Sequence, residues 1–218
     1  MLRRTVKSII RCIMHMAYKG PVLDLIAFVK EENQRCHMKM LAARFGSMGK
    51  NPHIPLPNTI LNPKYMYVGD NFYTMYNFRI EAYDEFQGKR YTPKITIGNN
   101  VIFNTDCHIG CINEIIIGDN VLVASRVFIS DHFHGHTDGS DIAIPAAHRE
   151  LTTKGPVIIG ENVWIGEGVA IMPGVTIGKN CVIGANAVVV GSFPDNCVIA
   201  GVPARLIKRL EPVLENNN

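Results

Sequence analysis

The sequence predicts an all-β solenoid of about five coils, with a helical N-terminal segment and one long extruded loop over 130–156. Three observations carry this reading. Aliphatic residues recur every six positions, the repeat is interrupted three times at the same phase, and the first 45 residues follow helical spacing instead.

In the N-terminal segment, Leu2, Val6, Ile9, Ile10 and Ile13 fall on one helical side, with Arg3, Arg4, Lys7 and Arg11 on another. The stretch PVLDLIAFVKEENQRCHMKMLAARFG reads as a second helix. These helices are expected to cap the open end of the solenoid, whose pairing edges would otherwise be exposed. The basic side is alternatively suited to an anionic membrane surface, as a peripheral contact. The expected division is a cap at 1–50, the solenoid at 51–200 and a C-terminal segment at 201–218.

The repeat is clearest at Ile159, Ile165, Ile171, Ile177, Ile183 and Val189, with Gly160, Gly166, Gly178 and Gly184 following four of them. Small or β-branched residues follow four positions later, as at Val163, Val169, Val175, Cys181 and Ala187. The pattern also holds at Ile97, Phe103 and Ile109, at Ile117, Val123 and Ile129, and more weakly at Val68, Thr74 and Ile80. A period of six fits neither a 3.6-residue helix nor a long alternating strand. It fits short strands joined by regular corners, each coil burying its core against the next.

If three hexads make one triangular coil, the interruptions follow Ile80, Ile109 and Ile129, always after a third hexad. All three extra segments therefore leave at one corner. The largest adds 24 residues and opens with VFISDHFHGHTDGSDI, which holds His132, His134 and His136. A long irregular segment in a compact domain usually carries function.

Composition excludes other classes. The hydrophobic share of 47% and charged share of 19% suit a soluble domain, and a net charge of +3 is too small to argue for nucleic acid. No apolar run has the length of a membrane span, and the N-terminus has neither a continuous apolar stretch nor a small-residue cleavage site, so no signal peptide is expected. Six scattered cysteines without CxxC read as reduced thiols in a cytoplasmic protein.

The run VWIGEGVAIMPGVTIGKNCVIGANAVVVGSFPDNCVIAGVPARLIKRL, residues 163–210, closely resembles the hexapeptide-repeat acyltransferases. VFISDHFHG followed by SDI is similar to the sugar O-acetyltransferases of bacterial surface-polysaccharide clusters; galactoside and maltose acetyltransferases are more distant relatives. The resemblance covers about residues 65–210. It implies a left-handed parallel β-helix, an exception to the right-handed crossover rule. It also implies a homotrimer with sites between subunits, acetyl-CoA as donor and a sugar hydroxyl as acceptor.

Acetyl transfer to a hydroxyl needs a base, and histidine titrates near pH ~6.5, close to neutrality. The resemblance assigns this role to His132. His134 is expected at the substrate, or with His136 in loop packing. An HxHxH spacing could suit a metal, with His108 as a fourth member, but no acidic or cysteine partner completes that set, and no metal is expected. Asn104 aligns with a sugar-contacting position, though asparagine at a coil corner also suits a ladder; Asp106 is a weaker candidate. For the donor, the resemblance points to Trp164, Glu167, Ala185 and Gly191 along the pantetheine groove, and to Arg205 and Lys208 at the nucleotide phosphates. Val190-Gly191 stands where the galactoside enzymes carry Thr-Lys, leaving Lys179 or Arg209 to replace that contact. The competing readings are an amino-sugar N-acetyltransferase, a drug acetyltransferase, a metal-dependent lyase and a non-catalytic β-helix scaffold. The first is disfavoured because no nucleotide-binding α/β domain precedes the repeats, and the last because His132, Trp164 and the Arg205-Lys208 pair are present.

Overall fold

The computed structural model describes residue 7, residues 9–12 and residues 21–211. Of the positions assigned to the first helix, Leu2, Arg3, Arg4, Val6 and Ile13 lie outside these, while Lys7 and residues 9–12 are helical. The second helix, α1, spans Pro21–Ala42, with Asp24 in its first turn and Lys39 in its last, each opposite in sign to the nearby end of the helix dipole. Its Leu23, Leu25, Ile26, Phe28, Val29 and Met40 are all exposed. The chain divides into two compact units, residues 1–43 and residues 44–218.

The second unit is a left-handed parallel β-helix. Its first face stacks Ser47–Met48, Met66–Val68, Lys94–Ile97, Glu114–Ile117, Val157–Ile159 and Thr176–Ile177. The second face stacks Tyr73–Thr74, Ile102–Phe103, Leu122–Val123, Trp164–Ile165, Val182–Ile183 and Cys197–Gly201, and the last of these is joined antiparallel by Ala204–Arg209. The third face stacks Asn58–Leu61, Phe78–Ala82, His108–Cys111, Phe128–Ser130, Ala170–Ile171 and Val188–Val189.

The hexad residues fill the interior. Ile97, Phe103, Ile109, Ile117, Val123, Ile129, Ile159, Ile165, Ile171, Ile177, Ile183 and Val189 are all buried. Each such side chain contributes ~1.5–3 kcal/mol relative to an exposed one. The corner residues Val163, Val169, Val175, Cys181 and Ala187 are buried too. One coil precedes those counted in the sequence, at Met48, Ile54 and Ile60, and its second-face contribution is only a single bridge at His53. The solenoid pairing thus starts at Ser47 and continues through Gly201. Glycine is required where coils touch: a Cβ on Gly118 would lie 2.7 Å from the backbone nitrogen of Glu161, and one on Gly160 as close to that of Lys179.

All three interruptions leave between the third and first faces. The first is a hairpin pairing Glu85–Phe86 with Lys89–Arg90. The second adds only a short turn after Cys111. The third is the long loop, closed at its base by Phe133–His134 against Leu151–Thr152. Hairpin and loop pack on each other. Lys89 Nζ pairs with Glu150 at 2.6 Å, Gln87 Nε2 donates to the Ala147 carbonyl at 3.0 Å, and the Tyr91 hydroxyl donates to the Leu151 carbonyl at 3.1 Å.

Candidate active site

The histidine loop starts where the strand Phe128–Ser130 ends. Asp131 turns inward there and is fully buried, a costly position for a carboxylate unless every lone pair is met. Four donors meet it. Its Oδ1 accepts the Ile112 N–H at 2.9 Å and faces His132 Nδ1 at 3.0 Å. Its Oδ2 accepts the Asn113 N–H at 2.7 Å and the Cys111 thiol at 3.3 Å. Burial and the Asp131 charge push the Cys111 thiol far up, so it stays protonated and donates.

A carboxylate can only accept, so the nitrogen of His132 facing Asp131 carries the proton and the lone pair falls on Nε2. Ser130 fixes the turn. Its hydroxyl donates to the His132 carbonyl at 3.1 Å and accepts the His132 N–H at 3.2 Å. The His132 side chain is only 10% exposed, and the Tyr83 ring stands edge-on to it at 5.9 Å. An oriented imidazole with a free Nε2 is the arrangement that a general base needs.

A second polar cluster lies on the outer side of the third face. Glu81 is buried, yet its Oε2 accepts from Arg79 Nε at 2.7 Å, the Tyr83 hydroxyl at 2.8 Å and His108 Nε2 at 3.2 Å. Burial works to raise the Glu81 carboxyl, but these donors outweigh it and hold it below its ordinary value. Burial, and then the Arg79 charge, lower His108, keeping its imidazole neutral near pH 7. Burial and Glu81 raise the Tyr83 hydroxyl. A cavity of about 410 Å³ opens between hairpin and loop, lined by Lys89, Arg90, Tyr91, Asn113, His136 and Thr153 among others. Ile112 and Asn113, whose N–H groups hold Asp131, also line it.

A family model described as bacterial transferase hexapeptide (six repeats) matches residues 156–191. WbbJ of Escherichia coli (strain K12), assigned to lipopolysaccharide biosynthesis as an O-acetyl transferase, is 41% identical over 160 residues, 72% of this chain and 78% of that protein. The chain belongs to the hexapeptide-repeat acyltransferases. Among solved structures it is similar to a maltose O-acetyltransferase from Clostridium difficile 630, at 34% identity and a TM-score of 0.54, over 80% of this chain and 74% of that one. It is also similar to a variant of AntD, an N-acyltransferase from Bacillus cereus solved with dTDP and coenzyme A. That match has 26% identity and a TM-score of 0.63, over 82% of this chain and 89% of that one.

Within this acyltransferase chain the expected site residues fall in separate places. His132, the loop with His134, and Gly191 stand at the corner between the third and first faces. Asn104, Asp106, Glu167 and Ala185 stand at the corner between the second and third faces. Asp106 accepts from Asn77 Nδ2 at 2.9 Å, and Glu167 pairs with Arg126 at 2.6 Å. The ladder role weighed for Asn104 belongs to its neighbour Asp106, while the Asn104 N–H donates to the Val123 carbonyl. Trp164 is exposed on the second face, in register with Leu122 below and Val182 above. Arg205 and Lys208 are exposed on the terminal strand. His134 lies edge-on to Phe86 at 5.3 Å, and the His136 N–H donates to Asp141 at 2.8 Å. Among the described residues no three His, Cys, Asp or Glu side chains are grouped to hold a metal.

The sequence reading passed over Asp131, Glu81 and Tyr83. Asp131 had one signal, its position directly before His132. Glu81 had another, a carboxylate next to the inward Ile80.

Proposed function

We propose that the protein transfers an acetyl group from acetyl-CoA to a sugar hydroxyl of a bacterial surface polysaccharide (O-antigen, capsule or exopolysaccharide) or its precursor. The observation that carries this is the Asp131–His132 pair, which leaves Nε2 as the basic atom. The sugar oxygen attacks the thioester carbonyl while Nε2 takes its proton. The C–S bond then breaks, and the imidazolium returns the proton to the departing thiolate. Asp131 accepts from Nδ1 throughout and steadies the transient positive charge. The likeness to WbbJ supports a polysaccharide acceptor, and coenzyme A in the AntD structure supports the donor. Arg205 and Lys208, exposed and without an ion-pair partner among the described residues, suit its phosphates.

A homotrimer with sites between subunits is part of this reading. Two features support it. His132 and two of the expected donor residues, Glu167 and Ala185, occupy two different corners of one chain, separated by the third face. The second face also presents a continuous outward column of Tyr73, Ile102, Leu122, Trp164, Val182 and Val198, an apolar stripe of the kind that subunit contacts cover. No helix among the described residues is long and apolar enough to cross a membrane. We place the protein in the cytoplasm, with the basic N-terminal residues as a peripheral contact at the inner membrane face. Amine acylation is the second reading, favoured by the likeness to AntD.

The test is a transfer screen against purified glycans and amino sugars, with products mapped by NMR. His132→Ala should lower turnover by about 10²–10⁴-fold and leave the fold intact. Near-normal transfer by that variant would move the base to His134 or His136.

A further inference from the structure

The cavity between hairpin and loop, about 410 Å³, lies within the usual span of small-ligand sites. Its polar lining divides into two sets. The first is spent on holding the walls. Lys89 pairs with Glu150 at 2.6 Å, and the Thr152 hydroxyl donates to the Gly135 carbonyl. The Tyr91 hydroxyl donates to the Leu151 carbonyl at 3.1 Å and accepts the Leu151 N–H at 3.0 Å. The Thr153 hydroxyl donates to the Gly155 carbonyl at 3.1 Å and accepts the Gly155 N–H at 3.0 Å.

The second set is unspent. The Arg90 guanidinium, the Thr92 hydroxyl and the Asn113 side-chain amide have no partner among the described residues. Asn113 engages only its main chain, donating its N–H to Asp131 and accepting the Lys94 N–H at 2.9 Å. Among the described residues no carboxylate lines the cavity. Those near it in the chain are engaged elsewhere: Glu150 with Lys89, Glu114 with Lys94 and Asp141 with Arg149. Glu85 lies across the hairpin from Arg90, yet it neither lines the cavity nor pairs with that guanidinium. His136 also lines the cavity, with Asp138 as its electrostatic neighbour. The buried side chains of Ile112 and Leu151 add apolar surface.

Each unspent group has a chemical preference. A guanidinium is a planar fork that matches two oxygens of a carboxylate or phosphate, and its unanswered charge attracts them. An amide and a hydroxyl each donate and accept, as a sugar hydroxyl requires of its partners. Walls already tied together lower the cost of ordering a site around its ligand.

We propose that this cavity binds a sugar bearing an oxyanion, carboxylate or phosphate, with Arg90 on the oxyanion and Thr92 and Asn113 on hydroxyls. If the protein is the acetyltransferase proposed above, on which this assignment rests, that sugar is an acidic or phosphorylated unit of the acceptor beside the one that reacts. The site is separate from the base, because Asp131 stands between His132 and the N–H groups of Ile112 and Asn113. It selects anionic glycans without touching the reacting atoms.

Saturation-transfer NMR on the full chain, without acetyl-CoA, measures binding of methyl glucuronide, glucose 1-phosphate and methyl glucoside. At least one of the two anionic sugars should bind about tenfold or more tightly than the methyl glucoside, the scale of a hydrogen bond to a charged group. Arg90→Gln should remove that difference. Arg90→Lys should keep only part of it, because an ammonium lacks the fork. Thr92→Val should weaken all three sugars alike. Arg90 and Thr92 are exposed, so these variants should melt as the parent does. Binding of methyl glucuronide assigns the oxyanion to a uronate within the glycan; binding of glucose 1-phosphate alone assigns it to the phosphate of an activated sugar. Failure of both anionic sugars to bind, equal binding of the methyl glucoside, or a preference that survives Arg90→Gln overturns the proposal, even where the transfer screen succeeds. If an anionic sugar binds through Arg90 and the screen finds no acetyl transfer, the functional reading fails and the oxyanion site stands.

Discussion

Asp131→Asn separates the orienting role of the carboxylate from its bulk, because the two side chains have nearly the same shape. Asp131 accepts from four groups, two on each oxygen. An amide has one accepting oxygen and one donating nitrogen, so one pair of donors must face an NH₂ group. If the nitrogen replaces Oδ2, it meets the Asn113 N–H and the Cys111 sulfur. If it replaces Oδ1, it meets the Ile112 N–H and His132. Either choice strands one backbone N–H, so those costs cancel. The remaining difference is an amide bonded to a sulfur, a weak acceptor, against an amide bonded to an imidazole nitrogen. The second is stronger, so the amide should turn towards His132 and force its proton onto Nε2. That removes the lone pair the chemistry needs.

Two magnitudes follow. A stranded buried N–H costs ~1–3 kcal/mol, and loss of a charge-assisted bond adds to it. At ~2–4 °C per kcal/mol for a domain of this size, melting should drop by ~5–15 °C. Turnover should fall by ~10³–10⁴-fold, the scale of the tautomer-reversing Asp→Asn change in the serine-protease triad. Thermal melts and thiol-release assays below the new melting temperature read the two effects independently. A variant that melts lower yet turns over within about tenfold of the parent would refute the tautomer argument and point to His134. An unchanged melting temperature would refute the burial argument.

Stability should fall with acid in two stages. His108 sits below its ordinary 6.5 and Glu81 below its ordinary 4.5, so at both sites the unfolded chain binds protons first and stability is lost as pH drops through each window. Melting temperatures against pH should therefore decline below 6.5 and again below 4.5, and His108→Gln should lack the first decline. Mixing inactive His132→Ala with inactive Ala185→Trp should restore part of the transfer activity if each site draws on two chains. A fully active monomer in sedimentation would remove the shared site. The protein should float with anionic liposomes at low salt, each basic residue near the surface contributing on the order of 1 kcal/mol. Binding should vanish in high salt and when Arg3, Arg4, Lys7 and Arg11 are neutralised; indifference to anionic vesicles at low salt would end the membrane role.

The repeat made the interior legible. A six-residue period states which side chains point inward, and every one of the strong hexad positions from Ile97 to Val189 is buried. It also located the corner from which the loop with His132 leaves, because an excursion is visible as a break in phase. The first coil was harder to see: Met48 and Ile60 are only half-buried, and its middle strand is one bridge at His53. The outward residues were not legible, and the reason lies in the pitch of the coils. Along the asparagine ladder each step is a single coil, yet the sequence separations are 29 from Asn71 to Asn100 and 20 on to Asn120, then 42 on to Asn162 and 18 on to Asn180. Which side chains stack on the outside depends on these unequal steps. Glu81 and His108 lie 27 residues apart and meet because the hairpin between them leaves and rejoins the helix without changing its register. Asp131 reaches back 19 residues to Ile112 for the same reason. Excursions at one corner therefore do two things at once. They extrude the loop that carries His132, and they set which outward residues of the third face lie beneath it. A change in hairpin length that preserves the hexad phase should leave the core intact and still alter what surrounds His132.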